Sequence, residues 1–355
     1  MSSPQLEMSR SSASADAIDV SEAKLSVVGS LSLEANAAQN YGFDRPSKVK
    51  SSFESKEYSS LDASVQKFLP ELGTIEKGKT TKEVVKINGE SCEYYLRVPQ
   101  SYDAAKPMPL ILAFHGYGDK LGQGGAAPGA LGMETTSGLS ERAEKDGFVI
   151  AYLNGNPKEK NAWNNKQWFF SDRNDIEFTK TVMDELSKDL NIDQSKIYLV
   201  GFSNGGSFVH SAAAQLSDRV AAIADVSGWM TGKEKAQAKG VSVLSIHSED
   251  DPSVLFKGRP LWQGVVMKPS EYTPNHYRQI NNLPVAPAIT VEKAGNDTEI
   301  QTSAWKDESG IEVKSIFIEK EGHLWFGGKA DEAAPINATD EVLEFFNHHQ
   351  KVTKP

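Results

Sequence analysis

Short apolar segments alternate with amphipathic ones from about residue 80 to the end of the chain. The apolar segments are rich in β-branched and aromatic residues and end at turn-forming residues, as buried strands do. They cover residues 109–116, 148–155, 196–203, 221–228, 241–248 and 313–322. Helical spacing is found in residues 138–147, 175–190, 204–218, 270–283 and 337–350. The alternation predicts an α/β fold with a mostly parallel central sheet and helices on both faces.

A hairpin is predicted at the start of this region. Residues 81–99 alternate between polar and apolar on both sides of the Asn88-Gly89 pair. Such a pair suits a type I′ turn, because both of its residues tolerate a positive φ. The first two strands are therefore expected to be antiparallel.

The first 75 residues differ in composition from the rest of the chain. Serine makes up about a quarter of the first 60 residues and aromatic residues are few, which is typical of segments that stay disordered. We predict a flexible Ser-rich leader over residues 1–75 and a folded domain over residues 76–355. The alternative for the leader is an uncleaved export segment for a secretion route other than Sec.

Net charge, apolar run lengths and cysteine content bear on the binding partners and the cellular location of the protein. The formal net charge is −10, and an acidic excess argues against binding nucleic acid or an anionic membrane. The apolar runs are shorter than the roughly 18 residues of a membrane span. Cys92 is the single cysteine and the N-terminus lacks a Sec-type signal, so a cytoplasmic location is the default expectation. Secretion through the Ser-rich leader is the alternative.

A serine lies between two glycines in VGFSNGG, residues 200–206, where a predicted strand meets a predicted helix. A G-x-S-x-G sequence in that setting is typical of a nucleophile elbow, which exposes the serine oxygen on a sharp turn. Gly201 and Gly205 would then be needed where strand and helix pass closest. Ser203 is the predicted nucleophile, and a glycine-rich structural turn is the alternative.

A serine nucleophile needs a base and an acid that orients the base, and both follow in the chain order of α/β hydrolases. An acidic loop at residues 249–251 follows one predicted strand, and His323 follows the last. Asp251 is the candidate acid and Asp250 the alternative. These loops leave the carboxyl ends of neighbouring strands, where open α/β sheets place their sites.

An oxyanion hole is expected beside the serine. The segment ending in His115-Gly116 closes an early strand. A backbone N–H just after it, that of Tyr117, could pair with the N–H of Asn204 to stabilise a developing oxyanion. The alternative is a glycine turn with a core histidine.

Residues from about 85 to 350 resemble the polyhydroxybutyrate depolymerase and feruloyl or acetyl-xylan esterase group of α/β hydrolases, also called carbohydrate esterase family 1 or LpqC-like esterases. The likeness lies in PLILAFHGYGD, in NDIEFTKTVMDEL with IDQSKIYLVGFSNGG, in IHSEDDPSV and in GHLWFGG. It implies an α/β-hydrolase fold for residues 76–355. It also implies Ser203 as nucleophile, His323 as general base and Asp251 as acid.

Three positions depart from the pattern of that group. Ser248 stands where the group usually has glycine, Leu255 replaces a proline, and Phe326 replaces the proline after the tryptophan. We expect these changes to reshape the rim of the pocket without removing the chemistry.

The pocket is expected to be open. About a dozen residues separate the strands at 221–228 and 241–248, which leaves no room for a large lid domain. Trp325 and Trp168 are the candidates for stacking on substrate. No clustered set of His and carboxylate residues suggests a metal site, and no cofactor is expected.

These observations predict a serine esterase that hydrolyses feruloyl or acetyl-polysaccharide esters, or hydroxyalkanoate polyesters, through an acyl-enzyme. The partner is a small-molecule or polymeric ester, and the sequence leaves the oligomeric state open. Two alternatives remain: a serine peptidase of the same fold, and a catalytically silent binding protein, which the altered Ser248, Leu255 and Phe326 motivate.

Overall fold

A computed structural model describes residues 76–351, except for 119–128, 165–172, 235–238, 262–263, 295–296 and 330–332. The leader predicted for residues 1–75 and the candidate binding residue Trp168 therefore lie outside the described residues. No helix in the described part of the chain is long and apolar enough to cross a membrane.

The described residues build one large sheet of ten strands, with spatial order β1-β2-β4-β3-β5-β6-β7-β12-β11-β10. A small second sheet pairs β8 with β9. The strands are β1 (Thr80–Ile87), β2 (Glu90–Arg97), β3 (Met108–Phe114), β4 (Val149–Leu153), β5 (Ile192–Phe202), β6 (Ala222–Val226), β7 (Ser242–Ser248), β8 (Arg259–Pro260), β9 (Val266–Met267), β10 (Ala288–Lys293), β11 (Glu299–Lys306) and β12 (Glu312–Ile318).

The centre of the large sheet is parallel, from β4 through β3, β5, β6 and β7 to β12. These are the strands that the apolar segments predict. Antiparallel hairpins flank them on both sides. In the first hairpin Ile87 pairs with Glu90, and Asn88 and Gly89 have φ values of 52° and 85°, which confirms the predicted turn. The second hairpin, β10–β11, is not predicted by the sequence pattern.

Helices cover both faces of the sheet, as predicted. They are α1 (Gly129–Ser137), α2 (Leu139–Asp146), α3 (Asp175–Asp189), α4 (Asn204–Gln215), α5 (Tyr272–Ile280) and α6 (Ala338–Asn347). Alternate residues of β3 enter two different cores, because successive side chains of a strand point to opposite faces. Leu110 and Leu112 join the core with Phe178 of α3 and Phe208 of α4. Ile111 joins the other core, which includes residues of α1, α2 and α6.

The strand order creates a crevice between β3 and β5. From β3 the chain goes to β4 on one side and then crosses over to β5 on the other. Open α/β sheets bind ligands at such a switch point, outside the carboxyl ends of the strands. His115 follows β3 and Ser203 follows β5 at this end of the sheet.

The connection between β6 and β7 is short, as the sequence predicts. It covers residues 227–241, and its described part contains no helix. The described part of this connection therefore builds no large lid.

Candidate active site

Ser203 forms the turn between β5 and α4. Its φ is 54° and its ψ is −116°, a backbone conformation that costs of order 1–3 kcal/mol for a residue with a side chain. Two hydrogen bonds hold the turn: the Ser203 N–H donates to the Val226 carbonyl of β6 (2.9 Å), and the Ser207 N–H donates to the Ser203 carbonyl (2.9 Å). The elbow predicted from VGFSNGG is present.

Gly201 and Gly205 are required by close approach at this turn. A Cβ on Gly201 would collide with the Gly205 carbonyl, and a Cβ on Gly205 would collide with the Phe114 carbonyl at the end of β3. Any larger residue would therefore push α4 away from the two central strands. This is the physical reason that the sequence pattern predicts for both glycines.

Ser203, His323 and Asp251 are joined by hydrogen bonds. The His323 Nε2 lies 2.9 Å from the Ser203 Oγ, and its Nδ1 lies 2.7 Å from the Asp251 Oδ2. Because the carboxylate only accepts, Nδ1 carries the imidazole proton and Nε2 is left to accept from the serine hydroxyl. The arrangement can remove a proton from Ser203 and stabilise the resulting imidazolium.

Both oxygens of the Asp251 carboxylate are hydrogen-bonded. Its Oδ1 accepts hydrogen bonds from the backbone N–H groups of Ser253 and Val254, each at 2.8 Å, and its side chain is fully buried. The neighbouring His247 is also buried and contacts the Val254 carbonyl through Nε2 (2.9 Å). Burial lowers the pKa of His247, so this imidazole is neutral at neutral pH and adds no charge beside Asp251.

The two candidate acids occupy different environments. Asp250, one residue before Asp251, directs its Oδ1 to the backbone N–H groups of Glu321 and Gly322. Of the two carboxylates, only that of Asp251 has a described hydrogen bond to the His323 ring. The geometry therefore favours Asp251 over Asp250 as the partner of the imidazole.

The backbone after β3 passes beside the serine. A Cβ on Gly116 would lie 3.3 Å from the Ser203 Cβ, so a side chain there would crowd the nucleophile. Tyr117 comes next and is half exposed. On the other side, Asn204 is the first residue of α4, where backbone N–H groups have no partner within the helix. The N–H groups of Tyr117 and Asn204 remain the predicted oxyanion donors.

Trp163 connects the two segments that carry these N–H groups, and sequence reasoning missed it. Its backbone N–H donates to the Asn204 Oδ1 (2.8 Å), and its indole Nε1 donates to the His115 carbonyl (2.8 Å). The ring is fully buried and stacks on Phe208. No periodic pattern marks this residue, because its partners lie 41 and 48 positions away along the chain.

His115 also helps to hold the segment that follows β3. Its Nε2 accepts from the Gly155 N–H (2.9 Å), so Nδ1 carries the proton and donates to the Gly116 carbonyl (2.7 Å). Burial lowers the pKa of His115 to about 4. The imidazole is therefore a neutral structural group here rather than a second base.

The expected role of Trp325 in stacking on substrate is wrong. Its side chain is only 1% exposed, and its indole Nε1 donates to the Thr339 Oγ1 (2.9 Å) at the start of α6. The ring packs in the core on the α6 side of the sheet and lies edge-on to Phe202, with centroids 6.5 Å apart. Trp325 thus anchors the segment that follows His323 instead of contacting substrate.

The described residues contain no group of three or more His, Cys, Asp or Glu side chains that could hold a metal ion.

Sequence comparison gives relatives among esterases. Residues 158–275 match the family described as Phospholipase/Carboxylesterase. The chain is 29% identical over 306 residues to a putative esterase, NocK, of Nocardia uniformis, covering 79% of this chain and 84% of the relative. It is also 29% identical over 175 residues to a probable feruloyl esterase C of Aspergillus niger, covering 49% of this chain and 60% of that relative.

Structural comparison gives the fold. An acetyl xylan esterase from Aspergillus awamori superposes with a TM-score of 0.54 at 18% identity, covering 76% of this chain and all of the other. A thermostable esterase superposes with a TM-score of 0.51 over 76% of this chain. The resemblance found in the sequence is thereby confirmed: the chain has the α/β-hydrolase fold and has sequence relatives among the esterases of that fold.

Proposed function

We propose that the protein is a carboxylic ester hydrolase in which Ser203, His323 and Asp251 form a catalytic triad. The observation that carries the proposal is the continuous hydrogen-bond path from Asp251 through His323 to Ser203. It lies at the switch point of the sheet, where this fold binds ligands. The strained elbow and the esterase relatives support the same reaction.

The reaction proceeds in two halves. Ser203 Oγ attacks the ester carbonyl carbon as His323 Nε2 takes its proton, and Asp251 stabilises the imidazolium. The N–H groups of Tyr117 and Asn204 donate to the carbonyl oxygen as it becomes negative. Collapse of this intermediate breaks the bond to the alcohol oxygen, which receives the proton from His323. A water molecule then attacks the acyl-serine as His323 takes its proton. The bond between the acyl carbon and Ser203 Oγ breaks, His323 returns the proton to this oxygen, and the acid leaves.

The substrate class that we propose is an ester of a feruloyl or acetyl group on a polysaccharide, with hydroxyalkanoate polyesters as the alternative. The names of the esterase relatives support the first class. The short connection between β6 and β7 suits bulky esters, because no large lid is built from that segment.

The test is hydrolysis of nitrophenyl acetate and butyrate by the full chain. Ser203→Ala is expected to lose activity by a factor on the order of 10⁶ in turnover. Ser253→Ala is a matched control, since this exposed residue contacts Asp251 through its backbone N–H, which the substitution retains. Equal rates for Ser203→Ala and the wild type would refute the proposal. Preference for amide over ester substrates would indicate a peptidase instead.

A further inference from the structure

We propose that Ser248 and Asp250 are positioning residues that hold the loop of His323 in place. The inference rests on the proposed function, since it assigns His323 the role of base. We call the two side chains, together with the backbone N–H groups of Glu321 and Gly322, the loop clamp.

The clamp is a set of four hydrogen bonds. The Asp250 Oδ1 accepts from the N–H groups of Gly322 (2.8 Å) and Glu321 (3.0 Å). The Ser248 hydroxyl donates to the same Oδ1 (2.8 Å) and accepts from the Glu321 N–H (3.0 Å). The two bonded peptide groups directly precede His323. Moving either of them changes the position of the imidazole.

The clamp joins the two loops whose side chains must meet. β7 and β12 are parallel neighbours, and Ser248 pairs with Ile318 at their ends. Beyond this point the β7 loop carries Asp251 and the β12 loop carries His323. Between the strand ends and the Asp251–His323 pair, the described hydrogen bonds that join the two loops are of two kinds. The Glu249 N–H donates to the Ile318 carbonyl (2.8 Å), and the clamp supplies the others. It therefore sets the spacing of that pair.

Backbone conformation and charge fit this role. Gly322 has a φ of 69°, a left-handed conformation that suits glycine. Burial would raise the pKa of Asp250, but the hydrogen bonds from Gly322, Ser248 and Glu321 outweigh it and lower the pKa. A carboxylate that accepts from backbone N–H groups forms bonds stronger than neutral ones. The clamp is therefore in its charged form at neutral pH.

The clamp explains why a serine stands at position 248. A glycine at this position would provide no hydroxyl to donate to Asp250 or to accept from Glu321. Ser248 is fully buried, and its hydroxyl has both a described donor and a described acceptor. Ser248 thus contributes two hydrogen bonds to fixing the β12 loop.

The test measures kcat and KM on a nitrophenyl ester for four variants. Asp250→Ala removes the shared acceptor and is expected to lower kcat by about 10- to 100-fold with KM within about twofold, because a displacement of about 1 Å can cost that much. Asp250→Asn retains an acceptor oxygen and is expected to recover most of the loss. Ser248→Gly is expected to lower kcat by a smaller factor. Glu249→Ala, which removes the adjacent exposed carboxylate, is the matched control and is expected to behave as wild type.

A second readout separates positioning from general stability. The rate at which a fluorophosphonate labels Ser203 is expected to fall in parallel with kcat, while thermal unfolding of Ser248→Gly stays near that of the wild type. The double variant Ser248→Gly/Asp250→Ala is expected to lose less kcat than the two single losses combined, since the Ser248–Asp250 bond is shared and only the Glu321–Ser248 bond remains to be lost in Asp250→Ala.

The outcomes distinguish the clamp from the proposed function. If the wild type hydrolyses esters and Ser203→Ala does not, but Asp250→Ala and Ser248→Gly both keep kcat within twofold, the clamp is overturned and the triad stands. If Ser203→Ala is as active as the wild type, the proposed function itself fails. Should Asp250→Ala not fold, Ser248→Gly alone decides, because it leaves the bonds from Glu321 and Gly322 to Asp250 in place.

Discussion

The His323 Nδ1 lies 2.7 Å from the Asp251 Oδ2, although the two residues are 72 positions apart in the chain. The carboxylate is fully buried and its other oxygen is held by two backbone N–H groups. Asp251 therefore fixes both the orientation and the tautomer of the imidazole. The proton that His323 can accept is consequently the one on the Ser203 hydroxyl.

Asp251→Asn tests this relationship. The amide has nearly the same shape but can donate to Nδ1, which would shift the imidazole proton to Nε2 and leave no acceptor for Ser203. We expect turnover of a nitrophenyl ester to fall by a factor on the order of 10⁴. The companion variant is Asp250→Asn, which we expect to stay close to wild type. If Asp250→Asn loses turnover and Asp251→Asn stays close to wild type, Asp250 is the triad acid.

Gly205→Ala tests the close approach at the elbow. The added Cβ meets the backbone carbonyl of Phe114, which cannot move independently of β3. We expect the free energy of unfolding to fall by about 3 kcal/mol or more, measured by urea denaturation. Gly240→Ala is the control, because Gly240 has a positive φ but open space around it, and the expected loss is about 1 kcal/mol. Equal losses would mean that the elbow is not tightly packed.

Trp163→Phe tests the support of the oxyanion donors. The phenyl ring retains the stacking on Phe208 but removes the indole N–H that holds the His115 carbonyl. We expect kcat to fall about tenfold with little change in KM, since the donors act on the transition state. Trp305→Phe, which also loses an indole to carbonyl bond but at β11, is expected to leave kcat unchanged. A fall of the same size in both variants would contradict a local role for Trp163.

The free energy of unfolding at acid pH should depend on His115. Burial lowers its folded pKa from the ordinary 6.5 to about 4, so the unfolded chain binds this proton more readily than the folded one. The stabilisation is present above pH 6.5 and is lost as the pH falls from there towards 4. This residue alone should contribute about 3 kcal/mol of that loss.

The measurement for His115 is the free energy of unfolding against pH, for the wild type and for His115→Gln. The amide cannot take up a proton in this range, so the variant is expected to show a shallower decline between pH 7 and 4. Parallel curves would mean that His115 titrates alike in both states.

The sequence predicts the parts of the fold that bury continuous apolar segments. The six parallel strands are apolar on both faces because helices cover both faces, and this composition is visible without a structure. β10 is missed because every one of its residues is exposed, so no apolar pattern marks it. α1 is missed because its glycine, threonine and serine residues form no amphipathic stripe.

In the candidate site too, the sequence predicts some residues and misses others. Ser203, Asp251 and His323 are predictable because each follows its own strand, and parallel strands bring those ends together. The burial of Trp325 depends on Thr339, and the support from Trp163 depends on Asn204 and His115. Such pairings arise from loop packing between distant segments, and neither periodicity nor motif spacing records them.

The central claim is that Ser203 is the nucleophile, and the most direct measurement is the identification of the residue that a fluorophosphonate labels. We expect mass spectrometry of the digested, labelled protein to place the adduct on Ser203, and Ser203→Ala to take up no label. Prior incubation with a slowly hydrolysed ester is expected to protect Ser203 from the label. An adduct on another residue, or undiminished labelling of Ser203→Ala, would show that Ser203 is not the nucleophile.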